Sequence, residues 1–190
     1  MASNLIFEDD IECDIINVFE SEALGFEYLN CYTVEANDLN DKSNRADKKQ
    51  GVLLDRLHIA LKHLNSKLPD DAINVAIEKL TQSHIQQAAF DANKTVYKLV
   101  RGGLEVDVTN SNGRTEKRTV QVLDFANPKN NDFLLVAQIW IEGKRWRRPD
   151  LIVYINGLPL VMIELKNSNY LCQIKIFRVS ISTKQTGETL

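Results

Sequence analysis

The stretch Arg147-Arg148-Pro149-Asp150-Leu151-Ile152-Val153-Tyr154-Ile155-Asn156-Gly157-Leu158-Pro159-Leu160-Val161-Met162-Ile163-Glu164-Leu165-Lys166-Asn167 decides how this chain is read. Two apolar runs, Asp150–Ile155 and Leu158–Lys166, flank Asn156-Gly157, a dipeptide suited to the positive φ angles of a tight hairpin. Both runs are apolar at almost every position rather than at alternate ones. That predicts burial on both faces and a central place in a sheet. Asp150, Glu164 and Lys166 nevertheless sit on these strands, where charges are costly unless paired or metal-bound. Glu164 and Lys166 are two apart and share a face. Two carboxylates and a lysine on one face suit metal-assisted hydrolysis of a phosphodiester. The carboxylates hold a hard cation such as Mg²⁺, which acidifies a bound water and neutralises phosphate charge. The ammonium orients that water and stabilises the transition state. The structural alternative is a buried salt bridge between Lys166 and one of the carboxylates. Geometry sets a condition. A strict two-residue turn pairs Ile155 with Leu158 and sets Asp150 opposite Ile163, on the wrong face. The chemistry therefore predicts a three-residue loop including Leu158, or a bulge between Asp150 and Asn156, that brings Asp150 opposite Glu164.

Upstream of the hairpin, residues 104–109 and 115–124 flank Asn110-Ser111-Asn112-Gly113 and read as a second hairpin, and Asp132–Glu142 as one further strand. Before them come two helices, 52–66 and 70–90, broken at Leu68-Pro69-Asp70, with Asp70 as N-cap. Residues 36–51 are polar and aperiodic, a loop. Residues 8–24 form an amphipathic helix ending at Gly25. Ile11, Ile15, Ile16, Val18, Phe19 and Ala23 fall in its apolar arc. Glu8 and Glu12 lie in the same arc, where like charges at i, i+4 repel and lose solvation unless a cation is near. His58, His63 and His84 match no metal template and read as surface or packing residues.

The net charge of −3 conceals an asymmetry. Residues 1–41 hold eleven acidic residues and no basic one, while the rest of the chain sums to +8. A basic body fits a polyanionic partner. Its densest cluster is Lys144-Arg145-Trp146-Arg147-Arg148. No apolar run reaches the ~18 residues of a membrane helix. The acidic start is unlike a signal peptide. Three widely spaced cysteines fit a reducing cytoplasm rather than disulfides or zinc.

The run from Arg147 to Asn167 resembles the nuclease motif in the N-terminal domain of the restriction subunit of type I restriction enzymes, within the PD-(D/E)xK nuclease superfamily. Leu123-Asp124-Phe125-Ala126-Asn127-Pro128, Asn131-Asp132-Phe133-Leu134 and Gln138 resemble the preceding strands of that family. Asp55-Arg56-Leu57 and the helices around Pro69 resemble its helical insertion, and Glu8 to Tyr28 its first helix. The resemblance implies an α/β fold: a restriction-endonuclease-like core with a central mixed sheet flanked by helices. The endonuclease-like domain then covers residues 1–167, with the helical insertion at about 52–93. The resemblance also implies Asp150 and Glu164 as metal ligands with the Leu165 carbonyl, Lys166 as catalytic lysine and Mg²⁺ as cofactor. A glutamate of the first helix completes such sites. The arc admits Glu8 and Glu12, and Glu8 is preferred for its spacing to Leu24-Gly25.

Arg145, Arg147 and Arg148 are expected to flank bound duplex DNA. The methylation and specificity subunits of the type I complex are the implied partners. Residues 168–190 depart from the family pattern and are expected to be an atypical tail from truncation or frame-shift. No Walker motif occurs, so ATP belongs to motor domains absent from this sequence. The alternative to an active nuclease is an inactive remnant that only binds DNA or a subunit.

Overall fold

The structure, a computed structural model, describes residues 8–81, 97–109, 113–166 and 173–178, with the side chains of Glu8, Lys166 and 173–178 outside the described set. Its elements run α1 (Glu8–Glu20), β1 (Glu27–Asn30), α2 (Leu54–Leu64), α3 (Asp70–Thr81), β2 (Leu104–Thr109), β3 (Thr115–Val120), β4 (Phe133–Ala137), β5 (Ile141–Glu142), β6 (Trp146–Arg147), β7 (Leu151–Ile155), β8 (Leu158–Lys166) and β9 (Gln173–Arg178). The chain divides into two compact units. Among the described residues, the first holds 8–44, 133–154 and 159–178; the second holds those of 45–132 together with 155–158.

The first unit is built on a five-stranded sheet in the order β1-β4-β7-β8-β9. β1 runs parallel to β4, with Tyr28 opposite Leu135, and β9 runs antiparallel to β8, with Lys175 opposite Glu164. The sheet is therefore mixed and the fold α/β. β7 takes the middle position that its unbroken apolar run predicts. Leu135, Ala137, Leu151, Val153, Ile163 and Leu165 form one core, and Ile11, Ile15, Ile16 and Phe19 of α1 pack on it. The apolar arc of α1 is narrower than expected: Val18 is 58% exposed. The helix ends at Glu20, and a further turn closes with Gly25 at φ +67, its N–H donating to Ser21 O at 2.8 Å. The expected strand Asp132–Glu142 is broken, because Gln138 adopts φ +55 and ends the ladder after Ala137.

In the second unit the predicted helices form as α2 and α3, and β2 pairs antiparallel with β3. Residues 82–93 of the expected insertion, with His84, and the turn residues 110–112 lie outside the described residues. Asp70 does not cap α3 from outside. It lies in the first turn, where Pro69 O accepts from Ala72 N at 3.0 Å, and its carboxylate pairs with Lys62 at 2.9 Å. The segment 36–51, which spans the junction of the units, is irregular as expected, yet it buries Asp41, Ser43, Arg45 and Lys48. Asp41 Oδ1 accepts from Ser43 N at 3.0 Å, and Arg45 Nη1 donates to Gln50 O at 3.1 Å.

The tip of the β7–β8 hairpin belongs to this second unit. Asn156 and Gly157 have φ +52 and +75, the pair of positive angles of a type I′ turn. Asn156 is fully buried. Its backbone N–H donates to Asp132 O at 2.8 Å, and its Oδ1 accepts from Asp132 N at 2.7 Å. Its Nδ2 donates to Val122 O at 2.8 Å and Asn131 Oδ1 at 3.0 Å. Gly157 O accepts from Leu53 N at 2.9 Å at the start of α2. Asp132 also receives a bidentate pair from Arg56, Nε to Oδ2 at 2.7 Å and Nη2 to Oδ1 at 2.6 Å. The Asp55-Arg56 and Asn131-Asp132 segments thus meet around the hairpin tip.

Candidate active site

The tip is a two-residue turn, so of the two expected alternatives, a three-residue loop including Leu158 or a bulge between Asp150 and Asn156, the loop is not formed. The strands still acquire the parity the chemistry needs. Leu151 and Val153 share one core with Val161, Ile163 and Leu165. Side chains alternate along a strand, so odd residues of β7 and odd residues of β8 share a face only if paired numbers sum to an even value. A two-residue turn after Ile155 starts the ladder on an odd sum, so one strand carries an extra residue. Asp150 immediately precedes Leu151, so continued alternation would set it on the Glu164 face.

Asp150 lies immediately before β7, half-buried, and its Oδ2 accepts the Leu165 N–H at 2.6 Å. Leu165 stands between Glu164 and Lys166, so this bond ties the aspartate to the centre of the Glu-x-Lys segment. In a strand, a residue's N–H and C=O face the same neighbour. The Leu165 carbonyl therefore turns toward the side occupied by Asp150. Two carboxylates and a carbonyl are hard oxygen donors. They suit a cation such as Mg²⁺, which takes one or two carboxylates and keeps several waters. Among the described residues no group of three His, Cys, Asp or Glu converges on a metal position.

Glu12 of α1 and Asp150 share Gln138 as a partner. Glu12 is half-buried on the packed face of α1. Gln138 Nε2 donates to its Oε2 at 3.2 Å, while the Gln138 backbone N–H donates to Asp150 O at 3.0 Å. Burial, and next the Glu12 charge, raise the pKa of the Tyr28 phenol in the same core. Glu8 opens α1, and its side chain lies outside the described residues, as does that of Lys166. The Lys166 backbone pairs with Gln173 of β9.

The expected DNA-facing arginines do not form one uniform patch. Arg145 and Arg147 are exposed on the β5–β6 hairpin. The Arg148 guanidinium instead lies 5.1 Å from the ring centroids of both Tyr32 and Trp140. Trp140 is itself fixed by donation from Nε1 to Thr33 O at 3.1 Å and by an edge contact with Trp146 at 6.4 Å. The Arg148 charge is thus held against two aromatic rings.

Spacing arguments did not single out the Gln138 bridge or the Asn156 hub. The available signals were a polar residue following the apolar run Leu134–Ala137 and an Asn in a turn between buried strands.

Residues 6–181 match the family described as type I restriction enzyme R protein N terminus (HSDR_N). The chain is 34% identical over 165 residues to the type I restriction enzyme HindI endonuclease subunit of Haemophilus influenzae. It is 29% identical over 150 residues to the MjaIXP endonuclease subunit assigned to type I restriction in Methanocaldococcus jannaschii. These alignments cover 86% and 76% of this chain but 15% and 14% of the relatives, so the chain spans a small part of their length. No helix among the described residues is long and apolar enough to cross a membrane. With nearly its whole length inside the match, the chain belongs to the family of type I restriction enzyme R protein N termini.

Proposed function

We propose that this chain is a Mg²⁺-dependent endonuclease domain with a PD-(D/E)xK core, hydrolysing phosphodiester bonds of duplex DNA as part of a type I restriction enzyme R subunit. The observation that carries this reading is the hydrogen bond from the Leu165 N–H to Asp150, which draws Asp150 to the Glu164-Leu165-Lys166 segment. Asp150, Glu164 and the Leu165 carbonyl would hold the cation. When bound, Mg²⁺ supplies an acidified water and neutralises phosphate charge. Lys166 donates hydrogen bonds to the attacking water and the developing charge on the phosphate. Glu12 or Glu8 of α1 adds a further carboxylate. Arg145 and Arg147 contact the DNA backbone without reading bases. The nuclease domain takes the helices from 52 to 93 as its insertion and β9 as the edge strand of its sheet. The methylation and specificity subunits are the partners that direct it to sites, and the cytoplasm is where it acts.

A plasmid-nicking assay tests this. The chain in Mg²⁺ should convert supercoiled DNA to open circles, and Lys166→Ala should slow that about 10²–10³-fold, the usual loss for one transition-state donor. Nicking that persists in Lys166→Ala, or in a chelator, overturns the proposal. DNA retention without nicking, insensitive to both, identifies a binding module instead.

A further inference from the structure

We propose that Gln138 is a positioning residue of this site, holding the Glu12 carboxylate and the Asp150 main chain in one arrangement; this rests on the nuclease reading above. Gln138 is a non-glycine residue at φ +55, a region where Gly is at ease and Asn is tolerated better than Gln. A left-handed break after β4 serves the strand ending alone equally well with Gly. A Gln at this position is explained by what its two ends do. The left-handed turn aims the backbone N–H at Asp150 O, 3.0 Å away. The side-chain amide reaches Glu12 Oε2 at 3.2 Å, across 126 positions of sequence. Neither Asp150 nor Glu12 is near the other in the chain. They are brought to one place by a residue that is not acidic and that carries no chemistry of its own.

The test uses the 190-residue chain, Mn²⁺ as calorimetric probe and supercoiled plasmid as substrate. Gln138→Gly deletes the amide while relieving the left-handed strain, so its melting temperature should equal or exceed that of the wild type. Its Mn²⁺ affinity should fall about 10–100-fold, the usual effect of losing a residue that orients a ligand. The turnover rate should fall with it, and KM for DNA should stay unchanged. Gln138→Asn tolerates the same backbone but is one methylene short. It should repeat the loss, and it carries the test if the glycine variant fails to fold. Unchanged Mn²⁺ affinity and turnover in a folded variant, with Lys166→Ala still inactive, overturns the role of Gln138 and leaves the nuclease standing. A wild-type chain that neither binds Mn²⁺ nor nicks DNA overturns both, and does so without reference to any Gln138 variant.

Discussion

At its tip, the β7–β8 hairpin is saturated with hydrogen bonds. The buried Asn156 side chain makes three, its backbone N–H makes a fourth, and the Gly157 carbonyl receives the Leu53 N–H. At the other end, the Asp150 carboxylate accepts the Leu165 N–H and the Asp150 carbonyl accepts the Gln138 N–H. The same hairpin thus carries neutral amides at its tip and carboxylates at its open end. A fully satisfied polar network makes one arrangement rigid. Two carboxylates on one face repel each other until a cation joins them. Under the proposed function the difference is a division of labour: the tip fixes register, and the open end would offer its carboxylates to a cation.

Asp150→Asn attacks the open end and should have the largest effect. The amide oxygen still accepts the Leu165 N–H, so folding is kept while a metal-binding charge is lost. Nicking should fall about 10²–10³-fold, or roughly 3–4 kcal/mol of transition-state stabilisation, with the unfolding midpoint nearly unmoved. A drop in urea midpoint as large as the drop in rate would mean that the open end is structural too.

Gly157→Ala attacks the tip. A Cβ there would lie 2.5 Å from Leu53 O and 2.6 Å from Leu57 N, both backbone atoms, at φ +75. The left-handed penalty of about 1–2 kcal/mol and an overpacking cost of about 1–3 kcal/mol should together remove about 3 kcal/mol of stability in urea unfolding. Asn156→Ala should cost about 1–3 kcal/mol, because it strands the Asp132 N–H and the Val122 carbonyl without partners. If either tip variant, under conditions where it remains folded, lost nicking as severely as Asp150→Asn, the division between the two ends would collapse.

Much of this hairpin was legible before the structure. Unbroken apolar runs read as central strands because burial on both faces leaves no alternation. Asp150, Glu164 and Lys166 stood out because charge is rare there. The parity needed to join Asp150 with Glu164 was legible, and so were its two possible sources, a longer loop or a bulge; composition did not choose between them, since an extra residue within a ladder leaves no mark on it. Gln138 was hidden for a different reason. The segment 132–142 has the composition of one strand, and a single positive φ breaks it through bonds to Glu12 and Asp150 that are distant in sequence. The burial of Asp41, Arg45 and Lys48 was hidden because polar loops satisfied by side-chain and backbone bonds have no period. Arg148 read as one cation of a solvated run, yet its neighbours Tyr32 and Trp140 come from separate parts of the chain.

The smallest effect sharpens the tip side of the comparison through pH. Asn131, which bonds Asn156, is held in turn by Asp124: its Oδ1 accepts from Asp124 N at 2.9 Å and its Nδ2 donates to Asp124 O at 2.9 Å. The Asp124 carboxylate accepts from Asn127 N at 2.9 Å, Ala126 N at 3.0 Å and Asn130 Nδ2 at 2.8 Å. The Asn127 N–H and then the Asn130 amide lower its pKa below the ordinary value of 3.8. A lowered folded pKa means that the unfolded chain binds the proton first as pH falls. The stabilisation is therefore complete above the ordinary value and is lost as pH drops through the lower folded value. Asp124→Asn keeps an acceptor oxygen but removes the charge. The stability gap between wild type and Asp124→Asn in urea should be constant above about pH 5 and should shrink below 3.8. A gap that stays constant down to the acid limit would show that loop geometry alone, without the carboxylate charge, holds Asn131 in place beneath the hairpin tip.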